Sequence, residues 1–418
     1  MSRKIIAITF IFICASVAWA ILGATIFART YDSGALSSSK VASTWGASQN
    51  QGPPTATFIT PNPKEANVVE NGKLIQKTFI EDRTNWMPLE SSKVKVDLDL
   101  EHRQKGLLWY STYKVRFNGV YTFRNTSDKE QNVTFHLNFP TTQAIYDNLT
   151  FLVDGNPVAI ANESNAAKAA VNIGAGKTAQ LEVGYSSQGL NEWRYSFGSD
   201  SVTQVKDFDL QMTTNFKDID FPENTLSPSE KYETSKGWAL TWSYKNLLSG
   251  YQIAMVMPEK LQPGPLAGRI SLFAPVSLFF FFFLMLIITT MRGIDLHPMN
   301  YFFLAAAFFS FHLLLAYLVD HVSIHASFAI SAAVSVFLVV SYLRLVVGTR
   351  FATREAALAQ FIYLVMFSYA FFLKGFTGLA ITIGSVLTLF VVMQVTGRIR
   401  WAEKFGASRE TEPAAEMP

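Results

Sequence analysis

The first residues in this sequence with a chemistry to explain are ionisable side chains inside or beside long apolar runs. His312 stands near the middle of the apolar stretch 301–319. A charged imidazolium there would be costly, so the ring is a functional candidate by default. It could relay protons or contact a substrate; the alternative is a neutral imidazole hydrogen-bonded to a neighbouring helix. Asp320, His321 and His325 follow in one short segment. Their types and spacing fit a partial metal or proton site, and equally a polar turn. Arg344 lies about a turn from the end of the next apolar run, where it can snorkel to the interface. Gln360, Tyr363 and Tyr369 can pair between helices with no further role.

The hydrophilic part offers no comparable set. It has no Gly-rich phosphate loop, nucleophile elbow, HExxH, kinase set or haem motif. Catalytic, cofactor-binding and metal residues are therefore assigned as none, and the chain is expected not to be an enzyme. His102 and His136 lie on or next to polar strand faces and read as solvated surface positions. The acidic pairs Asp97 with Asp99 and Asp218 with Asp220 read as exposed. Asn125, Asn132, Asn148 and Asn162 begin N-x-[ST] triplets and are expected as turn and strand-face residues. Cys14 is the single cysteine, which excludes an intrachain disulfide and a multi-cysteine metal site.

Composition sets the frame that must hold these residues. Of 418 residues, 49% are hydrophobic and 16% charged, against roughly 25% charged in soluble domains. The mean hydropathy is +0.19, and the 35 Phe outnumber Trp and Tyr together. These values describe an integral membrane protein with a large hydrophilic part. A net charge of +3 is too small for a nucleic-acid partner. The partners expected are the lipid bilayer and a periplasmic or membrane protein.

A bilayer core about 30 Å thick requires roughly 20 apolar residues as helix. Residues 5–27 meet that length behind Arg3 and Lys4. Ala18-Trp19-Ala20 has the form of a signal cleavage site, but the apolar run continues to Phe27, which favours an uncleaved anchor. Five further spans are predicted at 270–291, 301–319, 326–347, 356–373 and 376–396, with Pro275 expected in the first turns of its helix. With the N-terminus inside, the inner segments hold Arg3, Lys4, Arg292, Arg350, Arg354, Arg398, Arg400 and Lys404. This lopsided count predicts cytoplasmic termini and residues 28–269 in the periplasm.

Between the spans, Tyr113, Val115, Phe117, Tyr121 and Phe123 alternate with polar residues, the period-two signal of a half-buried strand. Similar patterns recur at 93–100, 133–139, 149–160, 178–185, 206–216 and 238–245, and Asp154-Gly155-Asn156 signals a hairpin. The Ala-rich stretch 164–172 is compatible with a short helix. The expected fold is an α+β membrane protein. It comprises a transmembrane anchor (1–28), a loose Ser/Thr/Gly/Pro-rich linker (29–64), and a periplasmic antiparallel β-sandwich-like domain (65–269). A five-helix transmembrane bundle (270–397) and a cytoplasmic tail (398–418) complete it.

The stretch Arg292-Gly-Ile-Asp-Leu-His-Pro-Met-Asn-Tyr301, the following helix ending Leu318-Val-Asp-His321, Ser341-Tyr342-Leu343 and Thr396-Gly-Arg-Ile-Arg-Trp401 resemble the CreD family of bacterial inner-membrane proteins. The resemblance spans about 270–403, with Gly237-Trp-Ala-Leu-Thr-Trp242 similar in the hydrophilic domain. It implies an inner-membrane location, a β-rich periplasmic domain and a role in envelope integrity or stress, with no catalytic residue to carry over. The sequence thus supports a non-enzymatic envelope protein that binds or senses a periplasmic ligand or partner. The alternative is a transporter or channel with a polar path near His312.

Overall fold

A computed structural model describes residues 2–397 except 71, 72, 164 and 199–202. The expected tail, with Arg398, Arg400 and Lys404, lies outside the described residues. Among the described residues, six helices are long and apolar enough to cross a membrane. They are carried by α1 (Ser2–Trp45), α2 (Pro263–Arg292), α3 (Pro298–Leu318), α4 (Ile324–Val346), α5 (Thr349–Phe372) and α6 (Thr377–Thr396). The chain divides into two compact units. One gathers residues up to Ala35, Gly106–Leu108 and those from Leu261 on; the other holds Leu36–Lys105 and Trp109–Lys260.

The bundle helices begin and end where local chemistry dictates. Pro298 occupies the first turn of α3, where its missing N–H costs nothing, and the Met299 amide donates to Nδ1 of the capping His297 at 3.2 Å. Ser323 caps α4 through the Ala326 amide at 3.3 Å. Gly293 closes α2 in the left-handed conformation that a side chain would strain. Because α2 starts at Pro263, Pro275 falls in the helix interior rather than in the first turns. Helix α5 is irregular, with π-helical segments at Ala352–Ala356 and Phe361–Met366 and a 3-10 turn at Ala370–Phe372.

The second unit is β-rich. Its strands are β1 (Gln49–Gln51), β2 (Thr55–Glu70), β3 (Lys73–Trp86), β4 (Leu89–Lys105), β5 (Leu108–Arg124) and β6 (Gln131–Asn138). They continue as β7 (Tyr146–Val153), β8 (Asn156–Pro157), β9 (Ala161–Glu163), β10 (Ala166–Ile173) and β11 (Thr178–Leu190). The last are β12 (Glu192–Tyr195), β13 (Thr203–Thr214), β14 (Glu230–Glu233), β15 (Trp238–Ser249) and β16 (Ile253–Val256). An eight-stranded sheet (β14-β15-β13-β4-β5-β11-β7-β8) and a five-stranded sheet (β3-β2-β6-β10-β9) share one apolar core with a small third sheet (β1-β12-β16). Pairing is antiparallel except β13 with β4 and β1 with β12. The period-two pattern of β5 is fully realised: Tyr113, Val115, Phe117, Tyr121 and Phe123 are buried, and Phe123 meets Phe135 of the other sheet at 5.4 Å. Where β11 passes β5, the ring of Tyr113 lies over Gly189; a Cβ there would come within 2.3 Å of the phenol.

Two further expectations are corrected. Residues 29–64 are not a loose linker: α1 runs on to Trp45, and β1 and most of β2 follow. A helix already nucleated extends at little cost, and Thr44 and Ser43 bond back to the Lys40 carbonyl at 2.8 and 3.0 Å. Beyond Phe58 strand β2 no longer pairs with β6, so Pro61 and Pro63 remove no bond to that strand. The Ala-rich stretch is strand β10, not helix. Ala167 and Ala169 sit opposite Leu137 and Phe135 on the buried face, small residues making room for large ones.

Candidate functional site

His312 is fully buried in the membrane unit, edge-on to Trp19 at 5.6 Å and to Phe311 at 4.8 Å. Its Nδ1 lies 3.1 Å from the carbonyl of Phe308, one turn back on its own helix. A carbonyl only accepts, so Nδ1 carries the proton and Nε2 presents a lone pair, with no protein donor against it. The bond expected to a neighbouring helix is therefore made within α3.

The three rim residues do not assemble a site. Asp320 pairs with Arg29 at 3.5 Å, and Arg29 also donates to the Ala316 carbonyl at 2.7 Å and lies over Tyr317. His321 is exposed, while His325 packs against Phe372 at 5.1 Å. No group of three His, Cys, Asp or Glu placed to hold a metal occurs among the described residues. Arg344 is exposed on the last turn of α4. Among the described residues no hydrogen bond or ion pair joins any two of His312, Asp320, His321, His325 and Arg344.

Two of the three polar residues assigned to helix pairing, Gln360 and Tyr363, bond across helices. Gln360 donates to Ser335 at 2.8 Å, and Ser335 donates to the Ala307 carbonyl at 2.5 Å, linking α5, α4 and α3. Tyr363 donates to Thr388 of α6 at 3.1 Å. Tyr369 instead stacks on Phe372 at 5.1 Å. Arg29 and Glu355 are the residues that sequence reasoning missed. Arg29 stood just past the anchor in the assumed linker, and Glu355, paired with Arg292, sits in the first turns of a span predicted to begin at 356.

The β unit holds a different kind of feature. A pocket of about 350 Å3 is walled by Met87, Phe123, Tyr195, Phe197 and Phe208, with Trp86 exposed at its edge and Pro53 and Pro54 on another side. Lys206, 3.7 Å from Glu90, supplies a cation to the same pocket. Tyr195 contacts the Tyr121 hydroxyl at 3.3 Å. Burial pushes the phenols of Tyr113, Tyr121, Tyr185 and Tyr195 upward, so none is a base at neutral pH. His102 and His136 are half-buried rather than solvated: His102 reaches the Pro258 carbonyl at 2.9 Å and His136 reaches Thr57 at 3.1 Å. The arrangement can bind a small apolar body beside a cation; among the described residues lining it, no nucleophile–base pair is formed.

Likeness to solved structures is slight. A candidate nutrient binding protein from Legionella pneumophila is 11% identical, over 56% of this chain and 76% of that one, with a TM-score of 0.33. An M1 zinc metallopeptidase from Deinococcus radiodurans is 11% identical over 41% and 42%, at 0.24. Leukotriene A4 hydrolase from Saccharomyces cerevisiae is 10% identical over 40% and 29%, at 0.22. At these scores no argument about activity passes from any of them. No curated protein matches the sequence. The family described as Inner membrane protein CreD matches residues 1–402. With six apolar helices and a β-rich unit inserted after the first, this chain belongs to the CreD family of multi-pass inner membrane proteins.

Proposed function

We propose that the protein is a non-enzymatic component of the cell envelope whose β unit faces the periplasm and binds a small amphipathic ligand there. The pocket of about 350 Å3 carries this reading, because aromatic walls with one cation suit an apolar body bearing an anionic group. The positive charges flanking the spans support export of the β unit with both termini cytoplasmic. The role proposed for the protein is in envelope integrity or stress response, a reading that membership of an inner-membrane family supports. His312, fully buried and packed against Trp19 and Phe311, favours this reading over a transport path.

The test uses the full-length protein in detergent with anilinonaphthalene sulfonate as probe. Binding should be saturable and quench the exposed Trp86. Lys206→Gln should weaken it about three- to tenfold, as loss of one charge-assisted contact does, and Phe197→Ala at least as much. Binding indifferent to both changes would rule out this pocket.

A further inference from the structure

A cleft of about 890 Å3 opens in the membrane unit between α2, α5 and α6. Its walls are apolar: Leu284 and Ile288 from α2, Leu358 and Ile362 from α5, Leu387 and Val391 from α6. Both π-helical segments of α5 border it, and such segments concentrate at functional sites. Helix α6 buries only Thr388 and Val392, so it stands off its neighbours along most of its length. From Ala380 to Val392 the cleft follows α6 for about 18 Å at 1.5 Å per residue, more than one leaflet of a core about 30 Å thick.

One end of this apolar cleft is charged. The Tyr363–Thr388 bond fixes the antiparallel register of α5 and α6, which brings Glu355 to the end holding Val391 and Val392. Glu355 Oε1 is engaged by Arg292. Its Oε2 is buried and has no donor in the protein. A buried carboxylate oxygen without a donor is costly, and the group that relieves it brings N–H bonds and positive charge.

We infer that the cleft binds one membrane phospholipid with a primary ammonium headgroup, its acyl chain along α5 and α6 and its ammonium on Glu355 Oε2. Hydrocarbon is the solvent at this depth, and a chain running the length of α6 satisfies the walls. The exposed guanidinium of Arg292 lies beside the carboxylate, as the phosphate next to an ammonium requires. An anionic headgroup with no cation meets Glu355 unfavourably. A trimethylammonium brings charge but no N–H.

Native mass spectrometry of the delipidated full-length protein tests this with dioleoyl phosphatidylethanolamine, phosphatidylcholine and phosphatidylglycerol. Wild type should retain the ethanolamine lipid about tenfold better than the glycerol lipid and several-fold better than the choline lipid. Glu355→Gln should shrink that preference to within about twofold, since the amide keeps shape but loses charge. Ala380→Trp, which fills the cleft, should reduce retention of all three. Equal retention of the ethanolamine and glycerol lipids by wild type overturns the inference without reference to any variant. So does a Glu355→Gln protein that keeps the preference, or an Ala380→Trp protein that keeps its lipid.

Discussion

His312 was legible as a residue of interest because an ionisable group halfway along an apolar span stands out in any sequence. Its partner was not, because which carbonyl a ring reaches depends on rotamer and packing. The observed bond to Phe308, within one helix, changes what substitution should do. His312→Leu keeps the contacts with Trp19 and Phe311 and loses a bond to a carbonyl of its own helix, a loss of about 1 kcal/mol or less. His312→Ala opens a cavity against Trp19 and should cost about 2–4 kcal/mol. Thermal unfolding in detergent should rank the variants wild type, Leu, then Ala, with His312→Gln still complementing a deletion strain. A stable, abundant His312→Gln protein that fails to complement would establish a role beyond packing. Asn125 makes the opposite point. As the start of an N-x-[ST] triplet it suggested a turn, and it does open the turn after β5, but its side chain is also fully buried. It donates to the carbonyls of Lys129, Ile173 and Gly174 and accepts from Ser127. Asn125→Ala strands those carbonyls and should destabilise the β unit by about 1–3 kcal/mol in chemical unfolding.

The β5 strand and the bundle spans could be read from periodicity and length, since burial on one face or immersion in lipid imposes those patterns directly. Hairpin β2–β3 could not. Its residues near 61–65 and 78–85 are exposed on both faces, so no alternation marks them, and four Pro from 53 to 63 spoke for a linker. The hairpin joins the sheet only where Thr55–Phe58 pairs with Val133–His136, and Thr57 meets His136 at that seam. Burial, reinforced by Lys168 directly opposite, holds the His136 imidazole below its ordinary 6.5. The folded chain then binds fewer protons than the unfolded one. The contribution is complete above 6.5 and is lost as pH falls from there through the lower folded value. Hydrogen exchange should show β2 losing protection between pH 7 and pH 5, and His136→Gln should remove that dependence. Glu101, held low chiefly by its bond to Lys114, acts in the same direction but only as pH falls below 4.5. Loss of protection confined to that lower range would assign the effect to carboxylates instead.

Across the membrane the argument rests on connectivity and charge together. Lys4 pairs with Asp295 at 2.6 Å and Arg292 with Glu355, so the start of α1, the α2–α3 connection and the first turns of α5 share one side of the bundle. That side carries Arg3, Lys4, Arg292, Arg350 and Arg354; the opposite side carries Arg29, Arg269 and Lys374 in the spans and short loops. The excess supports the proposal that the N-terminal side faces the cytoplasm. The β unit lies in the chain between α1 and α2, so the proposed orientation carries its proposed export with it. Cysteine labelling in intact cells decides the matter, starting from a Cys14→Ala chain with no other thiol. Asn156→Cys, on the exposed β7–β8 turn, and Val322→Cys, on the exposed α3–α4 turn, should react with a membrane-impermeant maleimide. Arg350→Cys, exposed in the first turn of α5, should react only after permeabilisation. The reverse pattern would invert the topology and remove the β unit from the periplasm.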